Sequence, residues 1–200
     1  MGDPKFHHKK YSTPRHPWEK DRIDEENKIL VKYGLKNKRE IWRSEAMLSS
    51  IRSQARYLRA RLRASDANAQ KQLERMIKRL SRYKILSDKA TLDDVLSLTV
   101  ENILDRRLQT IVFKKNLALS EKQARQLITH GHITVNGRRV TVPGMLVEAQ
   151  YEDTIAYYEN SPIANELHPI RQALLSPAER VKEEAEKEAA ASEDGGEQDE

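Results

Sequence analysis

The chain contains no cysteine, which excludes disulfides, thiolate metal sites and cysteine nucleophiles together and suits a reducing compartment. It has no run of about 18 apolar residues, and MGDPKFHHKK at its start lacks the apolar segment of a signal peptide, so a soluble, unsecreted, cytoplasmic protein is expected. No Gly-rich phosphate loop, Gly-x-Ser-x-Gly elbow or His-Glu-x-x-His motif occurs. Apolar residues are also sparse. Only 38% are hydrophobic against 34% charged, with a mean hydropathy of −0.81. Such a chain of 200 residues supports one or two modest cores and a wide solvated surface, with no large enzyme fold and no large buried pocket.

What is present is positive charge, unevenly placed. The net charge of +5 conceals a strongly basic body and an acidic end: residues 177 to 200 hold 3 Lys or Arg against 10 Asp or Glu, leaving 33 against 21 on the rest. A body of that sign attracts polyanions, because each phosphate neutralised by Lys or Arg releases condensed counterions. No helix joins a basic face to a strong Trp/Phe/Leu face, so nucleic acid is favoured over a membrane.

Along the chain, the polar opening stretch with Pro4, Pro14 and Pro17 cannot bury itself and reads as an extended arm over 1 to 17. A helix follows Trp18, with Ile23, Leu30 and Tyr33 on one stripe and Gly34 as its stop. Asn37 can cap the next helix, where Ile41, Leu48, Ile51, Ala55, Leu58 and Leu62 recur at helical spacing. Its other faces carry Arg43, Arg52, Arg56, Arg59, Arg61 and Arg63 with few acids near, which favours phosphate contact over a merely solvated surface. A third helix after Asp66 is apolar at Leu73, Met76, Ile77 and Leu80 and basic at Arg75, Lys78, Arg79 and Arg82. Trp18 and Trp42 adjoin apolar stripes and are expected to pack in the core.

Thr91-x-x-Asp94 starts a short helix, and Thr99 is expected to cap a helix carrying Leu104, Leu108, Ile111 and Val112. Ser120-x-x-Gln123 is a capping box, followed by the apolar stripe Ala124, Leu127 and Ile128 and by Gly131 as a stop. Ile133, Val135, Val140 and Val142 then suggest two strands joined at Asn136-Gly137, a dipeptide suited to a two-residue type I′ turn. DTIAYY (153 to 158) adds a third strand. Ser176-Pro177-Ala178-Glu179 resembles a helix start ahead of an acidic tail. The fold class is therefore α+β, a helical bundle followed by a small helix-helix-hairpin unit.

Candidate RNA-binding residues cluster in that unit. Arg106, Arg107, Gln109 and Thr110 are expected on its first helix, Lys122, Gln123, Arg125 and Gln126 on its second, and His130, His132, Asn136, Arg138 and Arg139 at the helix end and hairpin. The Ser120-capped helix end is expected to face outward, where its free N–H groups suit a phosphate. Arg52, Arg56 and Arg59 on the long helix, with Arg15 and Lys20 near the arm, complete the set. Arg and Lys would hold the backbone of a folded RNA while Gln, Thr and Asn reach riboses or base edges, since side chains cannot read the deep A-form groove. His130 and His132 flank a glycine without Cys or carboxylate nearby, so phosphate hydrogen bonding or closure of the helix end is favoured over metal binding.

The string RRLQTIVFKKNLALSEKQARQLITHGHITVNGRRVTVP closely resembles the S4 RNA-binding domain, with QARQLI, HGHITVNG and Val-x-Val-Pro in register. The flanks YSTPRHPWEKDRI, YGLKNKREIWR, LDDVLSLTVENILDRRLQT and NSPIANELHP resemble the archaeal form of the small-subunit ribosomal protein four family, covering the chain to about residue 171. The resemblance implies a primary rRNA binder that nucleates the subunit's five-prime body domain and sits beside protein five near where mRNA enters, influencing accuracy. It implies no zinc, since the cysteines of many bacterial members are missing, and the acidic tail lies outside its pattern. Partners would be small-subunit rRNA and neighbouring small-subunit proteins, with no membrane, cofactor or small-molecule substrate. The implied divisions are an arm (1–17), a helical domain (18–103), an S4-type RNA-binding domain (104–160), an extension (161–176) and the tail (177–200). Three alternatives compete, of which a helical interaction protein without a nucleic-acid partner is opposed by the segregation of charge. An enzyme carrying an S4 appendage would need a second domain with a carboxylate or nucleotide site that 18 to 86 does not supply, and a ribosome-biogenesis paralogue would share the fold and the basic faces.

Overall fold

A computed structural model describes residues 8–174. Eight α-helices and three short strands run in the order α1 (Lys20–Lys32), α2 (Lys38–Arg63), α3 (Ala67–Arg82), α4 (Leu92–Ser97), α5 (Val100–Leu104), α6 (Leu108–Lys114), α7 (Glu121–Thr129), β1 (Ile133–Val135), β2 (Arg138–Arg139), β3 (Ala156–Tyr157) and α8 (Pro169–Leu174) among the described residues. The result is the expected α+β arrangement, a helical region followed by a helix-helix-hairpin unit. The helix start expected at Ser176 and the acidic tail lie outside the described residues.

α2 organises the helical part. Its stripe Ile41, Leu48, Ile51, Ala55 and Leu58 is buried, and Ala69, Met76 and Leu80 of α3, Val95 and Leu98 around α4 and Ile103 of α5 pack on Leu48 to Leu58. Burying one such side chain contributes about 1.5–3 kcal/mol. α1 joins at the start of α2, where Tyr33, Leu35, Ile41 and Leu104 form a smaller cluster. Local chemistry sets the helix ends: Asp66 accepts from Asn68 N, Thr91 and Asp94 form a reciprocal capping box, and Gly34 ends α1 with φ +54.

The second core lies under α6 and α7. Leu108, Ile111, Val112, Ala124, Leu127 and Ile128 pack on Ile133, Val135, Val147 and Ile155. Asn136 and Gly137 take φ +51 and +71, the type I′ turn that matches strand twist. The sheet order is β2-β1-β3, both pairings antiparallel, with Thr134 opposite Arg139 and Ala156.

Three expectations are corrected. The helix expected from Thr99 through Val112 breaks at Asp105 to Arg107, where Arg107 is extended and bridges Leu146. The segment 143–147 makes the break: Leu108 N donates to Met145 O, Gln109 N to Pro143 O and Val147 N to Arg106 O. Val142 lies past the end of β2 and is 58% exposed, because the chain leaves the sheet after Val140 and residues 143–147 pair with that break. Trp18 is 90% exposed rather than in the core. It lies in the turn before α1, so the helical stripe does not place its ring. Trp42 is half-buried and donates from Nε1 to Glu26 at 3.0 Å.

Candidate nucleic-acid interface

α7 buries Ala124, Leu127 and Ile128, so the positions opposite them face solvent. That outer face carries Lys122, Gln126 and His130, all exposed, and continues into the hairpin with exposed Asn136 and Arg138. Neither Lys122 nor Arg138 has an ion-pair partner among the described residues, leaving two exposed cations available to an anion. His130 stacks on His132 with ring centres 6.2 Å apart and planes 3° from parallel. His132 is half-buried and its Nδ1 lies 2.8 Å from Ser161 Oγ. Burial, followed by the neighbouring His130, Arg139 and His168, holds His132 below its ordinary imidazole range, so it is neutral near pH 7. Arg139 reaches back to His130 O at 3.1 Å and lies over the Tyr158 ring.

This close return requires Gly131. A Cβ there would stand 2.1 Å from Arg139 Nε, and φ is +75. Glycine supplies both the left-handed backbone and the space.

The first-helix candidates turn inward, and their expected outward placement is corrected. Arg106, Arg107, Gln109 and Thr110 are 8%, 7%, 1% and 3% exposed. Arg106 pairs with Glu152 at 3.1 Å, Arg107 pairs with Glu40, and Thr110 donates to Leu104 O at 2.9 Å. Gln109 Nε2 reaches the carbonyl oxygens of Tyr33, Gly34 and Glu121 at 3.0 to 3.1 Å. At the break at 105–107 the side chains part inward: Arg107 and Gln109 toward Glu40 and the end of α1, Arg106 toward Glu152, and Thr110 back onto Leu104. Arg125 is drawn in the same direction, donating to Glu40 Oε1 at 2.8 Å and to Gln109 Oε1 at 3.3 Å. Burial opposes ionisation of Glu40, but hydrogen bonds from Arg125 and then Arg107 outweigh it and hold the carboxyl below the usual range.

The start of α7 is partly covered. Ser120 Oγ accepts from Gln123 N, while Gln123 Oε1 accepts from Leu119 N at 2.7 Å. The amide thus returns to the residue before Ser120, a one-position variant of the expected capping box. Gly34 lies so close that a Cβ would stand 2.8 Å from Glu121 Cβ. Gly34 therefore packs against the Glu121 side of the helix end, while Ser120 and Lys122 stay exposed.

On α2, Arg52, Arg56 and Arg59 fall within about 60° of one another around the helix. Arg56 is exposed and unpaired among the described residues; Arg52 donates to Leu98 O, and Arg59 lies 3.6 Å from the exposed Asp93 carboxylate. Arg15 and Lys20 are exposed near the arm, separate from this row. Tyr11 of the arm rests 6.0 Å from the Trp42 ring.

A groove of about 510 Å³ joins the two parts, lined by Lys36, Arg39, Arg43, Arg107 and Arg125 with the Pro143-Gly144 loop opposite. Sequence reasoning missed Lys36 and Arg39. Arg39 and Arg43, four apart at the start of α2, were the available signal; Lys36 lies just before the helix and carries none.

Comparison with known proteins agrees with this architecture. Residues 5–105 match the model of the ribosomal protein S4/S9 N-terminal domain, and residues 106–153 match the S4 domain. A small ribosomal subunit protein uS4 from Thermoplasma acidophilum is 83% identical over 195 residues, covering 98% of each chain. The protein of that name from Picrophilus torridus is 58% identical over 92% of this chain and 100% of its own, and that from Methanococcus maripaludis 51% identical over 88% and 98%. With both domain models matched in tandem and these relatives covered almost end to end, the chain belongs to the uS4 family of small ribosomal subunit proteins.

Proposed function

We propose that the chain binds small-subunit rRNA through the outer face of α7 and the hairpin, Lys122, Gln126, His130, Asn136 and Arg138, together with Arg56 and Arg59 of α2. The groove with Lys36, Arg39 and Arg43 connects the two surfaces. In this role it is a primary rRNA binder that nucleates folding of the subunit body, lies beside protein five and with it influences accuracy, in the cytoplasm and without catalysis of its own. The units 18–103 and 104–160 act as two RNA-binding parts held by Glu40.

One observation carries the reading: Lys122 and Arg138 of the S4 unit are exposed and make no ion pair among the described residues, while Arg106, Arg107 and Arg125 are committed to carboxylates inside. Exposed cations are what counterion release requires. The test is a filter-binding titration of a five-prime-domain rRNA transcript across salt concentrations. Lys122→Ala with Arg138→Ala should weaken binding and lower the salt slope by about 1.5 to 2 units, one contact each. An unchanged slope and affinity would remove this face from the interface.

A further inference from the structure

The groove between α2 and the Pro143-Gly144 loop holds more positive charge than its own acid can answer. Lys36, Arg39 and Arg43 line it, all exposed and without an ion pair among the described residues. With Arg107 and Arg125 held at Glu40, the lining sets five cations against one carboxylate. Met47 and Val142, 38% and 58% exposed, line the same groove with Pro143, so apolar surface lies open beside the uncompensated charge. A concave site of this make-up suits an acidic peptide with small apolar side chains among its carboxylates.

The chain carries such a segment. Residues 177 to 200 hold 10 Asp or Glu against 3 Lys or Arg, with no aromatic residue, and Glu183, Glu184, Glu186 and Glu188 are interspersed with Val181, Ala185 and Ala189. Its point of departure is close to the groove. α8 ends at Leu174, with Ile170 packed on the core of the S4 unit and Arg171 over the Tyr157 ring of β3. β3 and β2 flank β1, so they stand two strand spacings apart, about 10 Å, and Val142 follows β2 closely. Residues 175 to 200 can span at most roughly 85–95 Å, several times that separation. A contact within one chain also gains from tethering, which sets an effective concentration on the order of millimolar.

We propose that the acidic segment 177–200 occupies this groove in the free chain, its carboxylates pairing with Lys36, Arg39 and Arg43, and that rRNA displaces it. The segment thereby holds the groove against RNA that makes few other contacts, while an RNA that also engages α7 and the hairpin outcompetes it. The docking needs no RNA; the competition rests on the rRNA-binding reading above.

The test uses the full chain. Without RNA, zero-length carbodiimide coupling joins a carboxylate to a lysine amine, the carbodiimide taking up the water released, and mass spectrometry maps the links. Lys36 should be the main partner of the acidic segment, ahead of the exposed Lys71, Lys78 and Lys122, and Arg39→Gln with Arg43→Gln should reduce its links. Links spread evenly over those lysines, or none from the segment, would overturn the docking. In a mixture of isotope-labelled and unlabelled chain, links between the two forms would assign the groove to a second copy and overturn the contact within one chain. For the competition, Glu183→Gln with Glu184→Gln, Glu186→Gln and Glu188→Gln should bind an unrelated RNA duplex about two- to fivefold more tightly than wild type. That is the gain expected if the tether fills the groove about half to four-fifths of the time. Lys36 links beside an unchanged RNA affinity would overturn the competition and remove the groove from the rRNA interface, while leaving the docking in place. Weaker binding by the glutamine variant would show the segment assisting RNA and overturn the competition.

Discussion

Glu40 on α2 accepts from Arg125 on α7 at 2.8 Å, a contact that joins the two halves of the molecule across 85 positions of sequence. Arg107 pairs with the other oxygen of the same carboxylate. Glu40→Gln would leave two guanidinium groups in a largely enclosed site without a counter-charge, and it should cost about 3 kcal/mol in chemical denaturation. The pair also sets a pH dependence. The folded carboxyl ionises below its ordinary value of 4.5, so its contribution is complete above that pH and is lost as pH falls through the depressed value. Wild type and Glu40→Gln should therefore converge in stability below pH 4.5.

Gln109 is a second tie between the halves, through the carbonyls of Tyr33, Gly34 and Glu121. Gln109→Leu leaves buried acceptors unmatched and should lower stability by about 2–3 kcal/mol. At a temperature where the variant remains folded, its rRNA salt slope should equal that of wild type. A reduced slope would mean that Gln109 or the adjoining arginines reach RNA after all.

Gly131→Ala should both strain the backbone and displace Arg139 from His130 O. A left-handed non-glycine residue costs about 1–2 kcal/mol before the clash is counted. The expected outcome is a lower unfolding midpoint and weaker rRNA binding, the second measured by filter retention at fixed salt.

Much of this was legible in the sequence where the determinant is local. Asn136-Gly137 dictates a turn by its own backbone preferences, the Thr91 and Ser120 hydroxyls cap helices that begin beside them, and the α2 stripe repeats with the helix period. The inward turn of Arg106, Arg107 and Gln109 was not legible, because it depends on Glu152, Glu40 and Tyr33, partners 46 to 76 positions away that they meet only after the chain at 143–147 has broken the helix. An arginine-rich string reads the same whether its charges meet phosphate or a buried carboxylate. Trp18 shows the converse: an aromatic residue beside an apolar stripe stays in solvent when it precedes the helix start.

Glu121 carries the opposite sign of pH effect to Glu40. Burial, and after it the charge of Asp105, pushes its carboxyl up to about 6, so the ionised form is disfavoured in the fold. The penalty is full above pH 6, shrinks as pH falls toward 4.5 and is absent below it. Glu121→Gln should therefore be more stable than wild type by on the order of 1 kcal/mol at pH 7.5, and equal to it near pH 4, in paired thermal melts.

The most direct measurement is residue-level chemical modification of lysines and arginines, read by mass spectrometry with and without the five-prime-domain transcript. Lys122, Arg138 and Arg56 should react in the free chain and be protected on the RNA, while Arg106 and Arg107 stay unreactive in both. Unchanged reactivity at Lys122 and Arg138 on the bound chain, or exposure of Arg106 and Arg107 on binding, would contradict an interface built from the outward-facing cations.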